Sequence, residues 1–384
     1  MLKKLLLLFF SLLSFVANAQ EKINFKISGA LRFNIASENY ESHNTLDTYM
    51  KFDTWFLSVD SRYKNLDMSV QYRFYPGSKV HFIHHAYIGY KINENWNTKL
   101  GVFQKPFGIG DFASHSWWCQ IPYYMGLEDT YNTGIGLEYK RNKLKFEIAY
   151  FRQAAPKGFF TTNADDTSVG NSRFSYAIVP SSGNNEGEVP ASIQELDQFN
   201  TRIRYQLSKN IEFGISGQLG SIYNTILDKR KWGFTWALHT VIDYRKWNFK
   251  GEFIHYHYNA IDDRGQSMNV VPMAAYGSVY DVATKGNVYV GGISYTIPVN
   301  QKLLKTIQPY IDYSIVSKSK KDYYATQHLV PGVLIVCGPL YTHIDMALGK
   351  NQPWLTKKFG EGLAEGRSNA RWNSRFNINV GYYF

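Results

Sequence analysis

Arg202 and Arg204 stand two residues apart in FNTRIRYQ, and Arg371 and Arg375 stand four apart near the carboxyl end. In an extended strand an even spacing sends side chains to one face. Arg73 and Lys105 fall on the same alternating, polar face of their own segments, and His115 lies in an aromatic stretch ten residues beyond Lys105. Basic groups collected on a watery face attract anions, because low-dielectric walls focus their field and raise the local anion concentration. Lys105, Arg73, His115, Arg202, Arg204, Arg371 and Arg375 are therefore candidate pore-lining or constriction residues. Inward carboxylates (Asp67, Glu138, Glu147, Glu212, Glu252 and Asp345) are fewer than the inward bases, which include Lys26, Arg32, Lys99, Lys145, Arg152 and Lys250.

Catalysis is poorly served. A hydrolase needs nucleophile, base and orienting group within hydrogen-bond reach, and the chain has no Gly-x-Ser-x-Gly elbow. His81 and His85 share a face with His84 opposed, and His255 pairs with His257. Two such residues can begin a metal site, but no cysteine or carboxylate completes either set at close spacing. The expectation is a protein without enzyme activity, cofactor or metal.

The elements that must position these bases are strands. Residues 23–36 alternate, with Ile23, Phe25, Ile27, Leu31, Phe33 and Ile35 on one face and Lys26, Ser28, Arg32 and Asn34 on the other. Segments of ten or more residues with this pattern recur along the chain, and a tilted strand needs that length to cross a bilayer. Short turns are predicted near 64–65, 93–95, 141–142, 208–210, 245–246 and 338–339, with longer connections at 37–48, 106–131, 153–196, 259–285 and 350–370. Counting strands puts the short turns on one side, as in outer-membrane barrels. The predicted fold is an all-β, transmembrane antiparallel β-barrel of about sixteen strands, with short periplasmic turns and long external loops. Aromatics near strand ends, such as Tyr63, Trp96, Tyr205, Trp232, Trp247 and Tyr382, read as interfacial girdles. The closing RFNINVGYYF alternates to a terminal Phe384, resembling the signal that barrels offer to their assembly machinery.

The amino end has Lys3 and Lys4, an apolar run from Leu5 to Val16 and Ala17-Asn18-Ala19, so residues 1–19 read as a cleaved signal peptide and residues 20–384 as the barrel. The run is short for a transmembrane helix. The net charge of +11 becomes +9 without Lys3 and Lys4, but the basic residues are scattered singly along strands. Nucleic acid is thereby disfavoured. Cys119 and Cys337 allow either one bridge or two idle thiols.

The most specific stretch is GVFQKPFGIGDFASHSWWCQIPYYMGLEDTYN, residues 101–132. Its GVFQKPFG, following a strand that contains Ala86-Tyr87-Ile88, resembles the corresponding segment of the phosphate-selective porin O and P family. The resemblance implies a trimeric sixteen-stranded barrel whose third long loop enters the lumen and whose basic side chains conduct anions. Residues 106–131 depart from that pattern in having no Lys or Arg, offering instead His115, the aromatics Phe107, Phe112, Trp117, Trp118, Tyr123 and Tyr124, and the acids Asp111, Glu128 and Asp129. The aromatics either pack the loop on the wall or form a platform for ring-bearing solutes.

The expectation is an outer-membrane porin of a Gram-negative cell for small hydrophilic solutes, with a preference for anions that the family resemblance extends to phosphate. Its expected partners are outer-membrane lipid and lipopolysaccharide, small anionic or polar solutes, the barrel assembly machinery and two further copies of itself. The alternative is a barrel-based surface-binding or secretion accessory protein, whose contact region would be residues 153–196.

Overall fold

The computed structural model describes residues 23–40, 48–110, 112–157, 173–182, 189–299, 301–357, 359–360 and 362–384. The predicted signal peptide and Asp111 lie outside them. Sixteen long antiparallel strands form one sheet. In the first half they are Asn24–Glu38, Thr48–Tyr63, Leu66–Tyr75, Val80–Lys91, Trp96–Gln104, Tyr131–Arg141, Leu144–Ala154 and Ile193–Ser208. Ile211–Asn224, Lys229–Tyr244, Trp247–His257, Lys285–Tyr295, Leu304–Lys318, Thr326–Cys337, Leu340–Lys350 and Asn373–Tyr383 complete them, with a two-residue extension at Ile297–Pro298. The sheet closes on itself: the first strand pairs with the last from Ala30 opposite Tyr383 to Glu38 opposite Arg375. Gly29 and Phe384 exchange N–H···O bonds of 3.0 Å in both directions. Closure leaves no unpaired edge, which a sheet in lipid requires.

The two faces are reversed relative to a soluble sheet. Thr54, Asp312, Ser314, His328 and Asn377 are fully buried inside, while Phe25, Ile27, Leu100, Ile135 and Phe234 are more than half exposed outside. Only a lipid-facing wall makes that arrangement favourable, since each outward apolar side chain would otherwise forfeit about 1.5–3 kcal/mol. Trp96 with Tyr139 and Trp247 with Tyr295 are ring pairs 4.7 and 4.6 Å apart beside the tight turns, as expected of a girdle.

Seven connections, including 64–65, 142–143, 245–246 and 338–339, lie at the end that carries both termini of the sheet. Lys64, Asn142, Arg245 and Gly338 each take positive φ, between 51° and 59°, in their two-residue turns. Such hairpins twist correctly only with a left-handed residue. The opposite end carries the long connections, but 76–79, 225–228 and 319–325 there are short. At 225–228 the strands continue farther than alternation predicts, and the Asn224 side chain accepts the N–H groups of Ile226 and Leu227 at 3.1 and 3.0 Å, closing the turn itself.

Described parts of the long connections pack inside the barrel. Ala177–Ile178, Val270–Ala275 and Ser278–Ala283 form a second, three-stranded sheet. With Phe107, Ile121, Tyr124, Met125 and Leu363 they build the main apolar core. Within the span predicted as a polar external loop, the described stretch 173–182 thus has Phe174, Tyr176 and Ile178 buried. Cys119 and Cys337 are both free thiols, which decides between the two states the sequence left open.

Candidate functional site

After Gln104 the chain leaves the wall and crosses the interior. The neck of this loop is closed by Lys105, whose N–H donates to the Thr130 carbonyl at 2.8 Å and whose ammonium donates to the Gly126 carbonyl at 2.9 Å. Pro122 opens a one-turn helix, Ile121–Tyr124, that seats the loop's apolar side. Gly108, at φ +63°, is needed twice over: the conformation is left-handed, and a Cβ there would stand 2.3 Å from Glu252 Oε1.

Wall carboxylates and hydroxyls hold the loop's backbone. Asp312 accepts the His115 and Ser116 N–H groups at 2.7 and 2.8 Å and meets the His115 ring Nδ1 at 2.7 Å. Asp345 accepts the Trp117 N–H at 3.2 Å, Glu252 that of Ile109 at 3.1 Å, and the hydroxyls of Ser216 and Ser314 those of Gly108 and Ile121 at 3.1 Å each. Buried amide groups cannot be left unpaired without a penalty of about 1–3 kcal/mol each, so these inward polar residues are what makes a loop in the lumen stable.

All of these anchors lie in strands from residue 211 onward. The other side of the loop faces the strands Asn24–Glu38, Thr48–Tyr63, Leu66–Tyr75 and Asn373–Tyr383 across a cavity of about 650 Å3. Arg32, Lys51, Arg73 and Arg375 supply its basic lining, Asp53 and Asp129 its carboxylates. Each arginine lies over an aromatic ring. Arg32 is 4.5 Å from the Trp117 ring centre, Arg73 is 4.6 Å from Phe174, and Arg375 is 5.0 Å from Trp118. A stacked guanidinium keeps its edge donors available and cannot swing, so its charge is fixed in place. Two of the three are partly balanced: Arg32 Nε is 3.7 Å from Asp53 and Arg375 is 3.0 Å from Glu38. Arg73 donates to the neutral amide of Gln71 at 2.6 Å.

The structure separates the residues that the sequence grouped. Arg73, His115 and Arg375 line the cavity together. Arg202 and Arg204 belong to a different cluster, in which Arg202 makes a two-pronged contact with Glu147 at 2.8 and 3.0 Å and Arg204 lies 3.5 Å from the same carboxylate. Lys145 adds contacts to Glu138 and Glu147 at 2.6 and 3.2 Å. Arg202 also reaches the Phe107 and Gly108 carbonyls, so it braces the loop. Arg371 is exposed in the connection before the last strand. Arg32 and Lys51 lie outside the candidate set: alternation put Arg32 inward, yet nothing in the sequence ranked it above other inward bases. Among the described residues no group of three His, Cys, Asp or Glu could hold a metal. A bulge opposite Gln71 and Tyr72 makes His84 the extra residue, bringing its Nδ1 within 2.8 Å of His85 Nδ1 rather than opposing it.

Lys105 is 6% exposed, and burial pushes its ammonium down to about 8. The folded state therefore releases the proton before the unfolded chain does, and its charged form costs the fold about 3 kcal/mol below pH 8. That cost disappears as the pH rises from about 8 toward the ordinary lysine value. The denaturation midpoint of the wild type is expected to rise over this window relative to that of Lys105→Met, measured in parallel; parallel curves would contradict the burial argument.

No family model matches the chain, and no curated protein matches it. Solved structures share its fold. An anion-selective porin from Comamonas acidovorans is 10% identical with a TM-score of 0.58, over 94% of this chain and 100% of that one. The outer membrane channel DcaP of Acinetobacter baumannii is 11% identical with a TM-score of 0.56, over 95% and 99%. OmpT of Vibrio cholerae, solved in a trimer form, is 9% identical with a TM-score of 0.56, over 95% and 100%. At these identities the likeness establishes the architecture, that of outer-membrane porin barrels spanning nearly the whole of both chains.

Proposed function

We propose that this protein is an outer-membrane diffusion porin that passes small hydrophilic solutes and favours anions. The observation that carries the reading is the cavity between loop and wall, where Arg32, Arg73 and Arg375 are held against Trp117, Phe174 and Trp118 and, together with Lys51, outnumber Asp53, Asp129 and Glu38. Fixed donors with a net positive field favour an anion that sheds part of its water. The likeness to an anion-selective porin supports the reading at the level of architecture. A cleaved leader at residues 1–19 and a trimer complete it, the latter in keeping with the trimer form of one structural neighbour.

Phosphate specificity is the weaker part of the proposal. Asp53 and Glu38 already engage two of the three arginines, so a doubly charged anion meets competing carboxylates where it would bind. General anion preference with little phosphate block is expected. The test is the reversal potential of the purified protein in a planar bilayer under a potassium chloride gradient, repeated with added phosphate. A potential of anion sign supports the proposal. Cation preference or an absence of channels refutes it, and strong phosphate block would restore the narrower resemblance to phosphate-selective porins.

A further inference from the structure

A second arrangement of arginines lies on the outside of the barrel, at the end carrying the long connections, and it includes Arg152, expected on the inward face, which follows the inward Phe151 and so points outward. Asp197 is an extra residue relative to one neighbouring strand, where Gly220 pairs with Gln198 and Ser221 with Leu196, while toward the other it stands opposite Arg152, between the pairs Phe151–Gln198 and Gln153–Leu196. Its φ is +55°. The bulge re-aims the carboxylate toward two guanidinium groups from different strands. Arg152 Nη1 is 2.5 Å from one oxygen and Arg230 Nη1 is 2.6 Å from the other, while the Tyr150 hydroxyl donates to the first. Asp197 is nearly buried, yet the Arg152 and Arg230 side chains are 55% and 36% exposed. Each guanidinium carries five N–H donors, so the shared carboxylate occupies a small part of their capacity and cancels one of two charges. Lys229 and Lys231 are exposed on the same strand as Arg230.

Beneath these charges the wall becomes aromatic and then aliphatic. Tyr150 and Phe199 are 5.0 Å apart, Phe199 and Trp232 stack at 6.3 Å, and Arg230 lies over Trp232. Phe199, Leu219 and Phe234 face one another across three consecutive strands and are all exposed. An aromatic row marks the level of the membrane interface, which is where lipid phosphates lie.

We propose that the recess formed by Arg152, Asp197 and Arg230 binds a phosphate of an outer-leaflet lipid, with the lipid's acyl chains lying on Phe199, Leu219 and Phe234. Asp197 acts as a positioning residue that holds the two forks apart at the spacing of a bridging anion, a geometry that suits phosphate oxygens better than a lysine pair would. The inference rests on the placement of the barrel in a membrane and is independent of conduction.

The test is native mass spectrometry of the full-length protein in detergent with bisphosphorylated lipid A or its dephosphorylated form. The phosphorylated lipid should be retained preferentially. Arg152→Gln with Arg230→Gln should weaken its retention roughly thirtyfold, about a factor of five per basic residue at a lipid surface, and leave the reversal potential unchanged because both residues are outside the lumen. Equal retention of the two lipids by the unmodified protein overturns the proposal whatever the variant does, since apolar contact would then suffice. Undiminished retention by a folded double variant places the lipid elsewhere, and displacement by millimolar inorganic phosphate would make the recess a site for free anions; either result overturns the proposal.

Discussion

Replacing Arg32, Arg73 and Arg375 together by glutamine is expected to reverse the ion preference of the channel. Two unit charges 5–6 Å apart interact by about 3 kcal/mol at the effective dielectric constant of a protein surface, before screening by salt. Removing three fixed positive charges leaves Asp53, Asp129 and Glu38 beside the same cavity with Lys51 as the remaining cation, so the local field changes sign. A shift of the anion-to-cation permeability ratio of at least about tenfold, equivalent to 1.4 kcal/mol, follows. Glutamine retains a long polar chain, and each lost ring contact is worth about 0.5–1 kcal/mol, which a closed barrel tolerates. Reversal potentials in a salt gradient read the outcome directly. If all three substitutions leave the ratio unchanged, the narrowest charged passage is not this cavity, and the cluster of Arg202, Arg204 and Lys145 becomes the place to look.

That contrast between the two basic clusters shows what one sequence can and cannot reveal. Alternation assigned Arg202 and Arg375 to the same inward face, correctly, because strand geometry is local and each side chain's direction follows from its position. Which carboxylate meets each base depends on strands that are distant in the chain. Glu147 lies 55 residues from the Arg202 it grips, and Asp312 lies 197 residues from His115. No local pattern encodes such distances. Lys105 illustrates the same limit at a shorter range: it occupies a polar alternating position, but the chain turns inward immediately after it and folds its own carbonyls over the ammonium. The inward acids Glu252 and Asp345 invite a reading as charges facing water, whereas their oxygens accept backbone N–H groups of the loop, as do those of Asp312, which alternation did not single out. The strands were legible because lipid imposes a two-residue period over ten residues. The tight turn at 225–228 was not, because Ile226 and Leu227 at its tip continue the apolar character of the strands they join.

Asp312→Ala is expected to release the central part of the inward loop, raising single-channel conductance and lowering ion selectivity in the same variant. The carboxylate accepts two backbone N–H groups with one oxygen and faces the His115 ring with the other. Truncation leaves two buried amides without acceptors, at about 1–3 kcal/mol each, and adds the loss of a charged hydrogen bond. Glu252 holds Ile109 before this segment and Ser314 holds Ile121 after it, so the loop is expected to detach between them while Lys105 and Arg202 keep its base in place. Asp312→Asn separates charge from geometry: its amide oxygen can still accept the N–H groups of His115 and Ser116, with its NH2 group turned to the His115 ring, so the anchor is kept and the charge is lost. If anchoring is the role, the asparagine variant keeps the conductance of the wild type while the alanine variant opens the channel; if the carboxylate acts by its charge in the lumen, both variants instead strengthen anion preference at unchanged conductance. Heat-dependent electrophoretic mobility of the folded barrel establishes that the wall itself is intact. Because Arg32 stacks on Trp117 and Arg375 on Trp118, two residues beyond the Asp312 anchor, a freed loop also releases these guanidinium groups, which is why selectivity and conductance are expected to change together.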